Sequence, residues 1–241
     1  MEKNIRIISF LVLSFLCLGS TKELNAETAS SLIQKVRLYS RDPSASGRTR
    51  FTDAQILDFL NEGQRDTIGE TLCIRKEYSF DTSSGTVYYA MPSDFMQIDR
   101  LLHDNQRFEE KSPAKLDQAS SEWETETGTP INFFVNFSSR TKVGFFPYPV
   151  TNTTTSTVKV EYYAQADDMT VSGSPFNAIT EFTPFHSMLA YYAASQMLYI
   201  DGFIAQADRY FQRYILYRNS FNEYCRARPG YFPNVNVAPV R

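Results

Sequence analysis

Histidine and cysteine are scarce in this chain, at two and three copies in 241 residues, and that scarcity removes most ways of building a catalytic or metal site. His103 and His186 stand at no metal-ligand spacing from another histidine, cysteine or carboxylate. One lies beside a predicted turn and the other opens a predicted helix, so both read as surface or capping residues. Ser139, Ser187 and Ser195 lack the glycine context of a nucleophile elbow, and no glycine-rich phosphate loop occurs. Asp167-Asp168 and the trio Glu122, Glu124 and Glu126 read as solvated loop charges, because adjacent or alternate positions do not converge on a cation or substrate by themselves. No catalytic, cofactor-binding or metal-binding residue is expected, and the chain reads as non-enzymatic.

A basic excess is missing too. The formal net charge of -3 excludes a protein whose whole surface wraps nucleic acid. Only one long apolar run occurs, residues 7–18, preceded by Lys3 and Arg6 and followed by a polar stretch ending at Asn25-Ala26. This is the layout of a signal-peptide-like leader over residues 1–26, and the run falls short of the ~20 residues of a membrane span. A start codon placed too far upstream would produce the same pattern. Removing the leader leaves 21 basic and 25 acidic residues, a net charge of -4. Cys17 follows Leu16 rather than a small residue, so it does not look lipidated. Cys73 and Cys225 remain, and their spacing leaves open whether they pair. Asn136-Phe137-Ser138 and Asn152-Thr153-Thr154 fit the glycosylation sequon, a pattern too short to carry weight.

What the chain has in quantity is aromatic side chain, 15% of residues with 19 Phe and 15 Tyr, on a background that is 42% hydrophobic and 21% charged. That is a globular composition, and aromatics at this level suit cores and interfaces. From 29 to 39, Leu32, Ile33, Val36 and Tyr39 share one helical face, and Arg41-Asp42-Pro43 stops the helix. Thr52 and Gln55 form a capping box for a second helix with Ile56, Phe59, Leu60 and Ile68 on its apolar stripe, and Gly63 inside it predicts a close helix contact. After Cys73 the period shortens. Tyr78-Ser79-Phe80 and Val87-Tyr88-Tyr89 around Ser83-Ser84-Gly85 predict a β-hairpin, with further strands at 96–102, 106–110, 131–137, 142–146 and 157–164 and a short helix at 113–123.

Helical spacing returns at 186–199 and 203–226, broken at Asp201-Gly202, and Pro233 and Pro239 make the tail an extended arm. The expected fold class is α+β: a helical bundle formed by N- and C-terminal helices with an inserted antiparallel β-rich region. The expected divisions are 1–26 as leader, 27–74 as N-terminal helices, 75–170 as the β-rich insert, 171–228 as a C-terminal helical hairpin and 229–241 as the arm. Arg209 and Arg213 lie four apart on one helical face, with Arg218, Arg226 and Arg228 beyond them. From Asp201 to the C-terminus six Arg face three acids, a local net of +3. Either these charges pair locally on a solvated face, or they meet an acidic protein partner or passing DNA.

Leu32-Ile33-Gln34-Lys35-Val36-Arg37 followed by Phe51-Thr52-Asp53-Ala54-Gln55-Ile56-Leu57-Asp58-Phe59-Leu60-Asn61-Glu62-Gly63-Gln64-Arg65 resembles the N-terminal helices of phage adaptor proteins. This is the head-to-tail connector family that includes the tail-tube gatekeepers of short-tailed phages. Gly128-Thr129-Pro130, Val143-Gly144-Phe145-Phe146-Pro147-Tyr148-Pro149 and Val158-Lys159-Val160-Glu161-Tyr162-Tyr163 are similar to its central strands. The helical stretches 186–194 and 201–217 are similar to its closing helices, so the likeness spans 29–226. The resemblance implies a structural subunit of a homo-oligomeric ring, commonly a dodecamer, in the virion at the head-tail junction. Its partners would be the portal protein, tail or nozzle proteins, and viral DNA passing through without sequence preference; no cofactor is implied. By analogy the arm residues Tyr231, Phe232, Val235, Val237 and Arg241 would dock on the portal, and Arg209, Arg213 and Arg218 would face DNA or a partner. The leader departs from the family, since capsid parts assemble in the cytoplasm. An exported envelope-binding module, and a secreted carbohydrate-active enzyme with two carboxylates about 5 to 9.5 Å apart, are the competing readings.

Overall fold

The computed structural model describes residues 27–42, 50–104, 106–136, 141–153 and 158–227. They form five α-helices: α1 (Ala29–Ser40), α2 (Asp53–Thr71), α3 (Pro113–Ala119), α4 (Ser187–Ile200) and α5 (Ile204–Arg226). The strands are β1 (Arg75–Phe80), β2 (Tyr88–Ala90), β3 (Phe95–His103), β4 (Gln106–Glu110), β5 (Thr127–Gly128), β6 (Asn132–Val135), β7 (Lys142–Phe146), β8 (Tyr148–Pro149) and β9 (Val158–Ala164). The fold is α+β, with helices at both ends and a largely antiparallel sheet between them.

Local chemistry sets the helix ends. Thr28 caps α1 by accepting from the Ser31 amide at 3.3 Å, and Arg41 ends it in the left-handed conformation at φ 57. Thr52 and Gln55 close the expected capping box on α2, each side chain accepting from the other's backbone N–H at 3.2 and 2.9 Å. Leu189, Tyr192, Ala193, Met197 and Leu198 are among the residues buried on several sides of α4, as a helix at the centre of a bundle requires. It packs on α1, α2 and α5. Gly63 is the close contact its position predicted: a Cβ there would come within 2.8 Å of the Tyr192 ring.

Polar side chains tie this layer together. Arg37, only 7% exposed, holds Asp42 at 3.1 Å, the Phe51 carbonyl at 3.0 Å and the Asp53 carboxylate, so one guanidinium joins the end of α1 to the start of α2. Asn61 exchanges two hydrogen bonds with the Met169 backbone, at 2.8 and 3.3 Å. Gln64 donates to the Asp167 carbonyl at 2.8 Å and accepts from the Phe176 amide at 2.6 Å. These amides hold the 165–178 connector, in which Phe176, Asn177 and Ala178 take consecutive φ values of 52, 56 and 57. Cys73 and Cys225 are joined by a disulfide, with Cα atoms 5.6 Å apart, linking the end of α2 to the end of α5.

The sheet runs in the order β1-β9-β3-β4-β6-β7-β2, antiparallel except between β4 and β6. The expected hairpin of β1 with β2 is therefore a correction. β1 pairs along its whole length with β9, β2 pairs with β7, and the two lie at opposite edges. They still meet through rings, since Phe80 stacks on Tyr89 at 5.1 Å and reaches Phe145 at 6.3 Å, so the sheet curls until its edges touch. Turn residues between two aromatic runs signalled proximity, but the ladder hydrogen bonds were taken by longer strands from far along the chain. Phe145 on β7 also contacts Tyr89, His103 and Phe108, which makes it the centre of the curled interior. On the other face Gly144 leaves room for Phe134, whose ring atoms a Cβ would approach to 2.4 Å, and Trp123, Tyr148 and Leu116 complete a second small core.

Candidate interaction surface

α5 projects its arginines on a helical period, and the structure gives them two different surroundings. Arg218 turns inward to Asp66 of α2 at 2.9 Å and lies over the Tyr214 ring at 5.6 Å. Tyr214 is fully buried, donates its hydroxyl proton to Asp66, and sits 3.0 Å from the Thr67 hydroxyl. Burial, reinforced by that bond to Asp66, pushes its phenol well above the usual tyrosine range. Arg218 thus belongs to the α2–α5 contact.

Arg209 and Arg213 are exposed. With Arg41 from the left-handed cap of α1, they line a cleft of about 240 Å³ that Tyr39, Gln206 and Tyr210 complete. Tyr39 and Tyr210 form its aromatic wall and Tyr191 stacks on both, with ring centroids 5.4, 5.4 and 6.2 Å apart and planes within 22° of parallel. The Arg213 guanidinium lies 5.9 Å from both the Tyr191 and Tyr210 centroids, close enough for cation–π attraction to hold it in place. Burial and the neighbouring Tyr191 push the Tyr39 phenol up to about 12, so this ring stays neutral at physiological pH. Among the described residues no carboxylate pairs with Arg41, Arg209 or Arg213. The arrangement suits a planar anion: forked donors on a neutral, partly dehydrated backing.

Sequence periodicity found Arg209 and Arg213 but missed the rest of the cleft. Tyr39 had been counted in an apolar stripe and Arg41 as part of a helix stop; nothing local says that these meet α5. Tyr231, Phe232, Val235, Val237 and Arg241 lie outside the described residues.

The histidines have different fates. His103 stacks on Phe108 at 5.3 Å, with its Nδ1 3.3 Å from Asp104. His186, expected as a surface or capping residue, stands at the N-cap of α4 but is fully buried beside Phe176, and its side chain makes no cap bond. Its ring nitrogens have no protein partner, and burial pushes its pKa down to about 4, with Glu27 acting in the opposite sense and Lys35 in the same one. No group of His, Cys, Asp or Glu among the described residues is placed to hold a metal ion, and no helix among them is long and apolar enough to cross a membrane.

A layer of helices braced by polar side chains, a curled sheet, and an open arginine–tyrosine cleft describe a protein built to make contacts. The family model described as SU10 adaptor protein matches residues 27–237, which takes in both the helices and the sheet. The chain belongs to the SU10 adaptor protein family and is a phage adaptor, a component of the virion. No curated protein matches it.

Proposed function

We propose that this chain is the structural adaptor subunit of a tailed-phage head-to-tail connector, forming a ring that docks on the portal and joins it to the tail, with DNA passing through. The observation that carries the reading is the family match over residues 27–237, which takes in the helices and the sheet together. The helical layer is the ring wall, and the β-rich insert over 75–170 is the tail-facing or outer surface. The arm residues Tyr231, Phe232, Val235, Val237 and Arg241 reach the portal, and Arg209 and Arg213 face a partner, with Arg218 bracing the helix behind them. The role is scaffolding rather than catalysis, and the ring is proposed as a dodecamer.

Electron microscopy of the chain mixed with its portal should show rings capping the portal, and a chain that remains monomeric would overturn the reading. Deleting residues 230–241 should leave a folded chain that no longer binds portal; unchanged binding would remove the arm from the interface. One feature favours a second reading. The Cys73–Cys225 disulfide is the kind of bond that persists in oxidising compartments, and with the leader-like residues 1–26 it fits an exported envelope-binding module. Determining the mature N-terminus and the compartment after expression in a bacterium separates the two.

A further inference from the structure

The open arginine–tyrosine cleft points to a specific occupant. Its three cations converge on one spot from two elements, the end of α1 and one face of α5, and the space between them is about 240 Å³. That is room for one or two carboxylate side chains. A duplex needs cations spread along a phosphate track, and a chain of net charge -3 has little to spread.

The complementary charge lies on the same protein. Residues 75–170 carry nine Lys and Arg against fourteen Asp and Glu, a net of -5, whereas residues 171–241 carry six against four. Within the acidic region a short 3₁₀ turn, Trp123–Thr125, is held from beneath by Trp123, which is 4% exposed, packs edge-on to Phe134 at 5.1 Å and donates its indole N–H to Asp117 at 2.7 Å. Anchored in this way, the turn presents Glu122, Glu124 and Glu126 to solvent, and none of the three is ion-paired among the described residues. A cluster of unpaired guanidiniums on a rigid aromatic wall and a cluster of unpaired carboxylates on a rigid turn, on one chain, are two halves of a head-to-tail contact. Repeated with a rotation that closes, such a contact generates a ring.

We propose that the Tyr39–Arg41–Arg209–Arg213 cleft takes one or two of the Glu122, Glu124 and Glu126 carboxylates of a neighbouring copy, as one contact of the subunit ring. The proposal rests on the ring reading and supplies residues for it. Its test is a charge exchange in the full chain, followed by sedimentation velocity and negative-stain microscopy, alone and on the portal. Arg209→Glu with Arg213→Glu forms one variant, and Glu122→Arg, Glu124→Arg and Glu126→Arg the other. The altered side chains are all exposed, so thermal melting by circular dichroism should match the wild type and report folding separately.

Each variant alone should assemble at least about tenfold more weakly, because like charges then face each other. An equimolar mixture should recover wild-type assembly, since every cleft again meets a turn of opposite sign. Either variant assembling like the wild type, or a mixture that stays dissociated, overturns the proposal while leaving the ring intact. A wild-type chain that forms no ring under any of these conditions overturns the ring reading, and this inference with it. Anisotropy with a duplex oligonucleotide supplies the remaining arm: loss of DNA binding by the arginine variant with assembly unchanged would assign the cleft to nucleic acid instead.

Discussion

Rings pack both the helical layer and the curled sheet, but the helical layer holds most of the buried polar side chains. There polar side chains bridge the elements: Arg37 among Asp42, Asp53 and the Phe51 carbonyl, the Asn61 and Gln64 amides on the connector, and Asp66 with Tyr214 and Arg218. In the sheet the closing groups are rings, with Phe145 at the meeting point of Phe80, Tyr89, His103 and Phe108. Hydrogen bonds and ion pairs tie particular atoms together, whereas ring contacts draw most of their energy from buried area, with a preference for stacked or edge-on arrangements. The layer that carries the arginine–tyrosine cleft is thus the one with more buried atom-to-atom polar contacts between its elements.

Removing the centre of each region breaks the comparison most severely. Phe145→Ala should cost about 3–5 kcal/mol through the cavity it leaves, and Arg37→Ala a similar amount because Asp42 is then buried without its partner. Urea unfolding measures both. They should differ in repair: Phe145→Leu should recover much of its loss, whereas Arg37→Lys should recover little, having no fork to hold two carboxylates and a carbonyl at once. Equal repair at the two sites would remove the distinction.

A smaller effect comes from His186. Its pKa of about 4 is depressed from 6.5, so the unfolded chain takes up a proton before the folded one does. Its contribution is fully present above pH 6.5 and is lost as pH falls towards 4, a drop on the order of 3 kcal/mol. Urea unfolding at pH 7, 5.5 and 4 should show that the wild type loses more stability over this interval than His186→Phe does. Parallel curves would show that His186 does not couple the helical layer to pH.

Smallest is the cap on α2. Thr52→Ala should cost about 1 kcal/mol by thermal melting, with the sheet's ring contacts unaffected. That cap was also among the most legible features, because a capping box is decided within four residues. Gly63 was legible for a related reason: a glycine in a helix interior is costly enough to imply a neighbour pressed against it. Partner choice was not legible. Tyr78 to Phe80 and Tyr88 to Tyr89 look like hairpin arms at close range, and only β9, some eighty residues away, explains why β1 turns elsewhere. The cleft was half legible in the same way, since α5 displays Arg209 and Arg213 by period while Tyr39, Arg41 and Tyr191 arrive by tertiary packing.

The three consecutive left-handed residues Phe176, Asn177 and Ala178 bear on how the chain comes apart. Each non-glycine residue in that conformation is unfavourable by roughly 1–2 kcal/mol, so the turn does not form on local preference. It is held from both ends of the chain at once, by Gln64 of α2 on the Phe176 amide and by Phe221 of α5 stacked on the Phe176 ring at 5.4 Å. A chain in which α5 has come away from the bundle therefore loses the turn as well, and with it the approach to α4 that His186 occupies. Damage at one end of the chain is transmitted to the middle, so loss of α5 and loss of the turn are one event rather than two.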